Sequence, residues 1–460
     1  MVKDMEIKKL NEQYKEYIGK EVEVNGWIRN NRSSSNVGFI DLNDGTGFKG
    51  VQIVYSNDNA NYNEYTHLRV GSSITVKGLV QESNGQQNVE VLVNEIVLNG
   101  DGGEDYPIQP KRHTREFLRE QAYLRPRTNL FNAVFRIRSL AAAAIHEYFQ
   151  SNGFLYFNAP LITSSDCEGA GEMFQVTTLD LERVASTGKV DYSRDFFGKM
   201  ANLTVSGQLE AETYAMAFSK VYTFGPTFRA ENSNTTSHLA EFWMVEPEMA
   251  YCDINGLMDT EEAMLKYVIN YVLEKGKDEM QFLDSFVEKG LIEKLTKLVN
   301  SEFARITHAE AIDLLQKSGK SWEFEPKQGE DIAKEHEKYL TEYFNGPVFI
   351  KDWPKDIKAF YMKQNVDGKT VAAVVLEVPG VGELMGGSQR EEDYDKLVNR
   401  MNELGINYKE MEWYVNLRKY GTCVHSGFGL GFERLVMYLT GIENIRDVIP
   451  YYRTPNNCDF

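Results

Sequence analysis

The chain has 460 residues, 42% of them hydrophobic and 12% aromatic, and carries a net charge of −18. That length exceeds a single hydrophobic core and predicts two or three domains, in a composition typical of globular proteins. No run of eighteen apolar residues is available to span a bilayer, and the polar N-terminal segment MVKDMEIKKLNEQYKEY lacks the apolar centre of a signal peptide. Cys167, Cys252, Cys423 and Cys458 are far apart and form no CxxC pair. This argues against a disulfide framework or a zinc site and for a reducing, cytoplasmic location. The acidic balance disfavours a nucleic-acid partner overall, but positive charge gathers at 29–32, 111–119 and 125–127. Local patches decide docking, so such a partner stays open.

In chain order, EVEVNGWIR, VGFIDLND, GVQIVY, SSITVKGLV and VEVLVNEIVL predict five strands separated by Gly, Asn and Ser turns. Five short strands within residues 1–100 suit a small barrel of the oligonucleotide-binding (OB) kind. The GxGxxG match at 45–50 precedes a strand rather than a helix and reads as a turn, not a dinucleotide site. A Gly- and Pro-containing polar stretch makes 101–125 a linker. Apolar residues at 131, 134, 135, 141, 144, 145, 148 and 149 then predict a long helix with Gly153 as its stop. Strands are expected from 160 to 250, helices over an insert at about 256–345, strands again at 347–354, 359–364 and 370–378, and a helix at 391–404. Strands without βαβ alternation predict an α+β second domain, 126–460, built on an antiparallel sheet flanked by helices.

Three segments carry chemistry. Residues 224–248 place two strand-like runs around a polar loop, a hairpin in which Arg229 and Glu231 would share one face. In SGFGLGFERLVMYL, glycines at 427, 429 and 431 clear one strand face, and Arg434 opens the following helix, where it suits a polyphosphate. In VGELMGGSQR, Glu383 and Arg390 flank paired glycines. A carboxylate near arginines suits magnesium bound to phosphates.

FRAE in the hairpin and GFGLGFER at the junction resemble motifs 2 and 3 of class II aminoacyl-tRNA synthetases, and the long helix with FNAP resembles motif 1. With the N-terminal barrel, their order is similar to the subclass containing the aspartyl- and asparaginyl-enzymes. The class I signatures HIGH and KMSKS are absent. The resemblance implies ATP and Mg²⁺ chemistry. Arg229 would hold the α-phosphate and the amino-acid carboxylate, Phe242 would stack on adenine, and Glu231 would contact the nucleotide. His238 and Arg434 would hold the γ-phosphate, Leu239, Gly431 and Glu433 would complete the ATP site, and Glu383 would bind magnesium. Val375 stands where the family carries an aspartate, and Glu377 is its expected substitute. Ser237 and Tyr452 are further departures, at positions where arginine and proline are usual. Glu168, Ser206, Gln208, Glu212 and Arg390 would bind the amino acid. Ala211 replaces a lysine of aspartyl enzymes, so with Glu212 as carboxamide acceptor the resemblance implies asparagine. The alternatives are a paralogue with a non-translational role and an aspartyl or dual-specificity enzyme. Arg29, Phe39 and Gln52 would read the anticodon of a tRNA(Asn), and Pro160 would lie in a homodimer interface.

Overall fold

The computed structural model describes residues 3–85, 87–165, 167, 172–233 and 235–460. It forms two compact units, Met1–Arg136 with Asp278–Leu283, and Ile137–Lys277 with Asp284–Phe460.

In the first unit, β1 (Glu21–Ser33), β2 (Val37–Asn43), β3 (Val51–Ser56), β4 (Ser73–Glu82) and β5 (Val89–Gly100) pair in the order β1-β2-β3-β5-β4. β4 returns to β1 and closes the barrel, while Lys3–Asp4 adds a short sixth strand parallel to β1. Strand alternation sends Val22, Val24, Ile40, Leu42, Ile53 and Val76 into the barrel core. Register slips between Ile28 and Asn30, leaving Arg29 as the bulged residue.

Helix α1 (Asn129–Ser151) buries the predicted stripe, including Phe131, Val134, Ala144, Ile145 and Phe149. Gly153 beyond it takes φ +79°, the left-handed turn that glycine allows at a helix end. Eight strands form the sheet of the second unit: β6 (Leu155–Tyr156), β7 (Lys220–Phe228), β8 (Glu241–Ala250), β9 (Ala304–Thr307), β10 (Val348–Pro354), β11 (Thr370–Val378), β12 (Gly382–Gln389) and β13 (His425–Gly431). Their order is β9-β10-β11-β12-β13-β8-β7-β6, antiparallel except for the parallel outer pairs β9–β10 and β7–β6. Helices α2 (Gln208–Phe218), α3 (Ile254–Lys275), α4 (Lys334–Tyr343) and α5 (Phe432–Thr440) pack on this sheet.

Two expectations need correction. Before β7 the structure holds helices at Leu181–Thr187 and α2, and among the described residues the strands beyond β6 are limited to Ile162–Thr163, Gln175–Val176 and Ala201–Leu203. Residues 359–364 contribute single bridges at Met362 and Gln364 rather than a strand.

Candidate active site

β7 and β8 form the expected hairpin, in register from Lys220 opposite Met249 to Phe228 opposite Glu241. β7 stops at Phe228, so strand alternation does not govern Arg229 and Glu231, which sit in the loop at 229–240. The Arg229 N–H donates to the Ala240 carbonyl at 2.9 Å, which closes the neck of that loop. Its guanidinium lies 5.5 Å from the ring centroid of the half-buried Phe242, within range of a cation–π contact. His238 Nδ1 lies 2.5 Å from Thr235 Oγ1, with Ser237 Oγ at 3.5 Å. Burial and then Arg434 hold the His238 pKa below its ordinary value, with Glu231 acting in the opposite direction. Leu239 is buried beside it.

A cavity of about 250 Å³ lies beneath this loop, lined by Ser206, Gln208, Arg229, Glu246, Glu383 and Arg390. Arg390 is 3% exposed. Its Nε donates to Glu248 Oε2 at 3.2 Å, its Nη2 to Glu248 Oε1, and its Nη1 to Ser388 Oγ at 2.9 Å. The glycine at 427 has a specific reason, since a Cβ there would overlap the Glu248 carboxylate. The strand face cleared by these glycines is therefore partly filled by the carboxylate that holds Arg390.

Glu212 does not line this cavity. Its Oε1 accepts from Gln208 Nε2 at 3.2 Å and Tyr414 Oη at 2.8 Å. Its Oε2 meets Arg418 Nη2 and His425 Nε2, each at 3.0 Å. Burial opposes its ionisation, but Arg418 and His425 outweigh burial and hold its pKa well below the usual range. Direct carboxamide acceptance by Glu212 is thus corrected: four partners occupy its oxygens, and it positions Gln208 from behind. Glu433 is likewise turned inward at 1% exposure, accepting from Arg138 Nη2 at 2.7 Å and the Trp243 N–H at 2.9 Å. It ties α1, β8 and α5 together instead of facing a nucleotide.

On the other flank, Arg434 Nη1 donates to the Glu383 carbonyl at 3.4 Å, and Gly431 lies one turn away, where its missing Cβ faces the Arg434 stem. Val375 pairs with Gly386 and lines the cavity, leaving no carboxylate at that point. A register shift after Leu376 brings Glu377 directly opposite Glu383. Among the described residues no three His, Cys, Asp or Glu side chains form a ready metal cage. Glu168 lies outside the described residues. Glu246, Glu248, Lys358, Arg418 and His425 went unread in the sequence. The signal for the first two was two acids at alternate positions of a core strand, an arrangement that is costly unless each is partnered.

On the barrel, Phe39 is half-buried, opposite Arg32 and Val54, with the Arg32 guanidinium 5.4 Å from its ring centroid. It stands outside the barrel core. Gln52, opposite Asp41, donates through Nε2 to Glu90 Oε2 at 2.9 Å. Arg29 is partly buried, with Nε and Nη1 lacking hydrogen-bond partners, and burial lowers its pKa. Around Pro160 the apolar residues Leu155, Tyr156, Leu161 and Ile162 are exposed beside the edge strand β6.

The sequence model of the class II tRNA synthetases (D, K and N) matches residues 114–455, and that of the OB-fold nucleic acid binding domain matches residues 22–98. The asparagine–tRNA ligase of Acholeplasma laidlawii (strain PG-8A) is 58% identical over 99% of this chain and 100% of its own length. That of Clostridium tetani (strain Massachusetts / E88) is 56% identical over 100% of both. Among solved structures, the asparaginyl-tRNA synthetase from Pyrococcus horikoshii complexed with asparaginyl-adenylate superposes with a TM-score of 0.86 at 32% identity, covering 100% of both chains. The chain belongs to the class II tRNA synthetases of the D, K and N group and, within them, to the asparagine–tRNA ligases.

Proposed function

We propose a division of labour among these side chains for the reaction of the family, in which ATP activates asparagine as asparaginyl-adenylate and the amino acid is then joined to tRNA(Asn). Arg229 bridges the asparagine carboxylate and the ATP α-phosphate, so the attacking oxygen is positioned in line with departing pyrophosphate. Its place on the cavity wall beside Phe242 supports that role and leaves the Phe242 ring to stack on adenine. Glu231 contacts the nucleotide, and His238 and Arg434 take the γ-phosphate end. No protein nucleophile is needed, because positioning and preorganised charge supply the acceleration. Glu383 with Glu377 would hold Mg²⁺. The residues fit, since Glu377 Oε2 is buried without a hydrogen-bond partner beside Glu383. Bound there, the ion would neutralise charge on the phosphates.

The observation that carries the choice of asparagine is the ion cluster behind the cavity. Two buried arginines, Arg390 and Arg418, are matched by two buried carboxylates, Glu248 and Glu212. Arg390 therefore meets the substrate side chain with its charge already balanced. A neutral carboxamide accepts from its remaining N–H groups without disturbing that balance. An aspartate carboxylate would add an unmatched buried charge, and at position 211 an alanine stands where a lysine could have met it. Gln208, held through its NH₂ by Glu212, offers its carbonyl oxygen to the ligand, and Ser206 and Glu246 face the α-amino group, the group for which the resemblance also names Glu168. The barrel face around Phe39, Gln52 and Arg29 takes the anticodon, with a base stacked on Phe39. The exposed apolar residues around Pro160 support a homodimer interface, and the chain works in the cytoplasm.

Asparagine- and aspartate-dependent ATP–pyrophosphate exchange, with and without tRNA, tests this reading. Exchange with asparagine alone, followed by charging of tRNA(Asn), is the expected outcome. Comparable exchange with aspartate would refute the charge-balance account, and exchange without charging would point to a non-translational paralogue.

A further inference from the structure

Besides Arg229 and Arg390, a third cation, Lys358, lines the cavity of about 250 Å³. The backbone before it is shaped to seat it. Register slips between Lys351 and Trp353 of β10, and Asp352 at the slip takes φ +58°, a left-handed conformation uncommon outside glycine. Asn365 Nδ2 donates to Asp352 Oδ1 at 3.0 Å and holds the bulge. Trp353, carried past it, is 2% exposed. Its Nε1 donates to the Ile350 carbonyl at 2.8 Å, and the His308 ring packs against it at 4.9 Å between centroids. The Lys358 ammonium lies on this fixed ring, 3.8 Å from the centroid. Among the described residues the ammonium has no ion pair and no hydrogen-bond acceptor. Met362, Ala373 and Val375, which line the same cavity, have no strong side-chain acceptor to give it. Its three N–H donors are thus left for whatever enters the cavity. Burial lowers the Lys358 pKa, and Glu383, then Asp331 and Glu377, act in the opposite direction. Glu383 and Glu377 mark the end of the site given to the phosphates.

We propose that Lys358 is a further catalytic residue of adenylate formation, donating to the oxygen that bridges the α- and β-phosphates of ATP. This rests on the ATP-site reading above. The carboxamide falls to Arg390 and the carboxylate and α-phosphate to Arg229, which leaves the departing side of the α-phosphate, toward Glu383, to Lys358. In that step an asparagine carboxylate oxygen forms a bond to the α-phosphorus. The bond from that phosphorus to the bridging oxygen breaks, and its electron pair leaves with pyrophosphate. Negative charge therefore grows on the bridging oxygen, and an ammonium held beside it stabilises the transition state more than bound ATP. No proton moves, and Lys358 remains an ammonium throughout.

The test compares the full chain with Lys358→Met in asparagine-dependent ATP–pyrophosphate exchange and in single-turnover formation of asparaginyl-adenylate. Methionine keeps an apolar stem on the Trp353 ring, so the melting temperature should hold. The exchange kcat should fall by about 10²–10³-fold with the KM for asparagine and for ATP little changed, the pattern of an interaction made in the transition state. Lys358→Arg, which keeps the charge, should regain part of the lost rate. Leaving-group dependence is the deciding readout. ATP analogues bridged between the β- and γ-phosphorus by difluoromethylene or by methylene release a less basic or a more basic pyrophosphate analogue. Lys358→Met should lose less rate with the first than with the second, because the missing charge matters most where the leaving group is most basic. If Lys358→Met does not fold, Lys358→Gln carries the same comparison. Equal slowing with both analogues, or a fall in melting temperature that accounts for the loss, would make Lys358 a packing residue on Trp353 and overturn the proposal, as would an unchanged exchange rate. If the unsubstituted chain shows no asparagine-dependent exchange, it is the ATP-site reading that fails.

Discussion

Arg390 combines two demands that pull against each other. It must stay charged in a place where burial weighs against charge, and in the role proposed for it here it must keep donors free for a ligand. Glu248 meets the first demand with two hydrogen bonds to the guanidinium, and Ser388 fixes the remaining edge. The whole unit depends on Gly427, whose missing side chain leaves the volume that Glu248 fills. Arg390→Ala should therefore do two things. Asparagine-dependent exchange should fall by at least about 10²–10³-fold, the scale of losing a preorganised donor. The fold should also lose about 3–5 kcal/mol, because Glu248 is left buried and unmatched. Adding Glu248→Gln to Arg390→Ala should restore most of that stability and none of the activity. Chemical denaturation of the single and double variants, alongside exchange rates, separates the two effects. If the double variant is no more stable than the single one, the charge-balance account of this cluster is wrong.

At the scale of elements, legibility followed how local the stabilising contacts are. The barrel strands and α1 show plain periods of two and 3.6, because their apolar faces pack as their own sequence dictates. Helix α2 did not show, because its buried face carries Gln208 and Glu212 among Leu209, Ala211 and Ala215. Those polar positions make sense only beside Arg418 and His425, some two hundred residues later. The register shift after Leu376, which sets Glu377 against Glu383, leaves no mark in the sequence either. The segment preceding α2 is held by similar side-chain bonding. Asp195 accepts from Thr177 Oγ1 at 2.7 Å, from the Thr178 N–H and Oγ1 at 2.9 Å each, and from the Phe196 N–H at 2.8 Å. Those bonds, Thr177 foremost and then the Thr178 N–H, bring its pKa down to about 2. A depressed carboxylate pKa stabilises the fold above the unfolded value of about 3.9, and the contribution fades as pH falls from there toward 2. Hydrogen-exchange protection across 175–203, corrected for the intrinsic pH dependence of exchange, should fall through that window. Asp195→Asn should show the loosened pattern already at pH 7, with little further change on acidification; a variant as protected as the parent would refute the role given to Asp195.

Across the whole molecule, the proposed activation cavity and the proposed anticodon face lie in separate compact units, and their contributions to the reaction should separate as well. On the proposed division of labour, activation needs only ATP, asparagine and the cavity of the second unit, whereas charging also needs a barrel that holds the anticodon. Phe39 is suited to test this because it lies outside the barrel core, half-buried under Arg32, so truncating it removes a stacking surface rather than a packing element. Stacking one base on an aromatic ring is worth roughly 1–3 kcal/mol, which corresponds to about a five- to 150-fold weakening of tRNA binding. Phe39→Ala should therefore raise the KM for tRNA(Asn) within that range. The rate of asparagine-dependent pyrophosphate exchange measured without tRNA, and the melting temperature, should stay unchanged. Loss of exchange in Phe39→Ala would mean that the barrel supports the catalytic unit directly. An unchanged KM for tRNA would mean that the anticodon is read elsewhere on the barrel, with Arg29 the next side chain to examine because its buried guanidinium nitrogens lack partners.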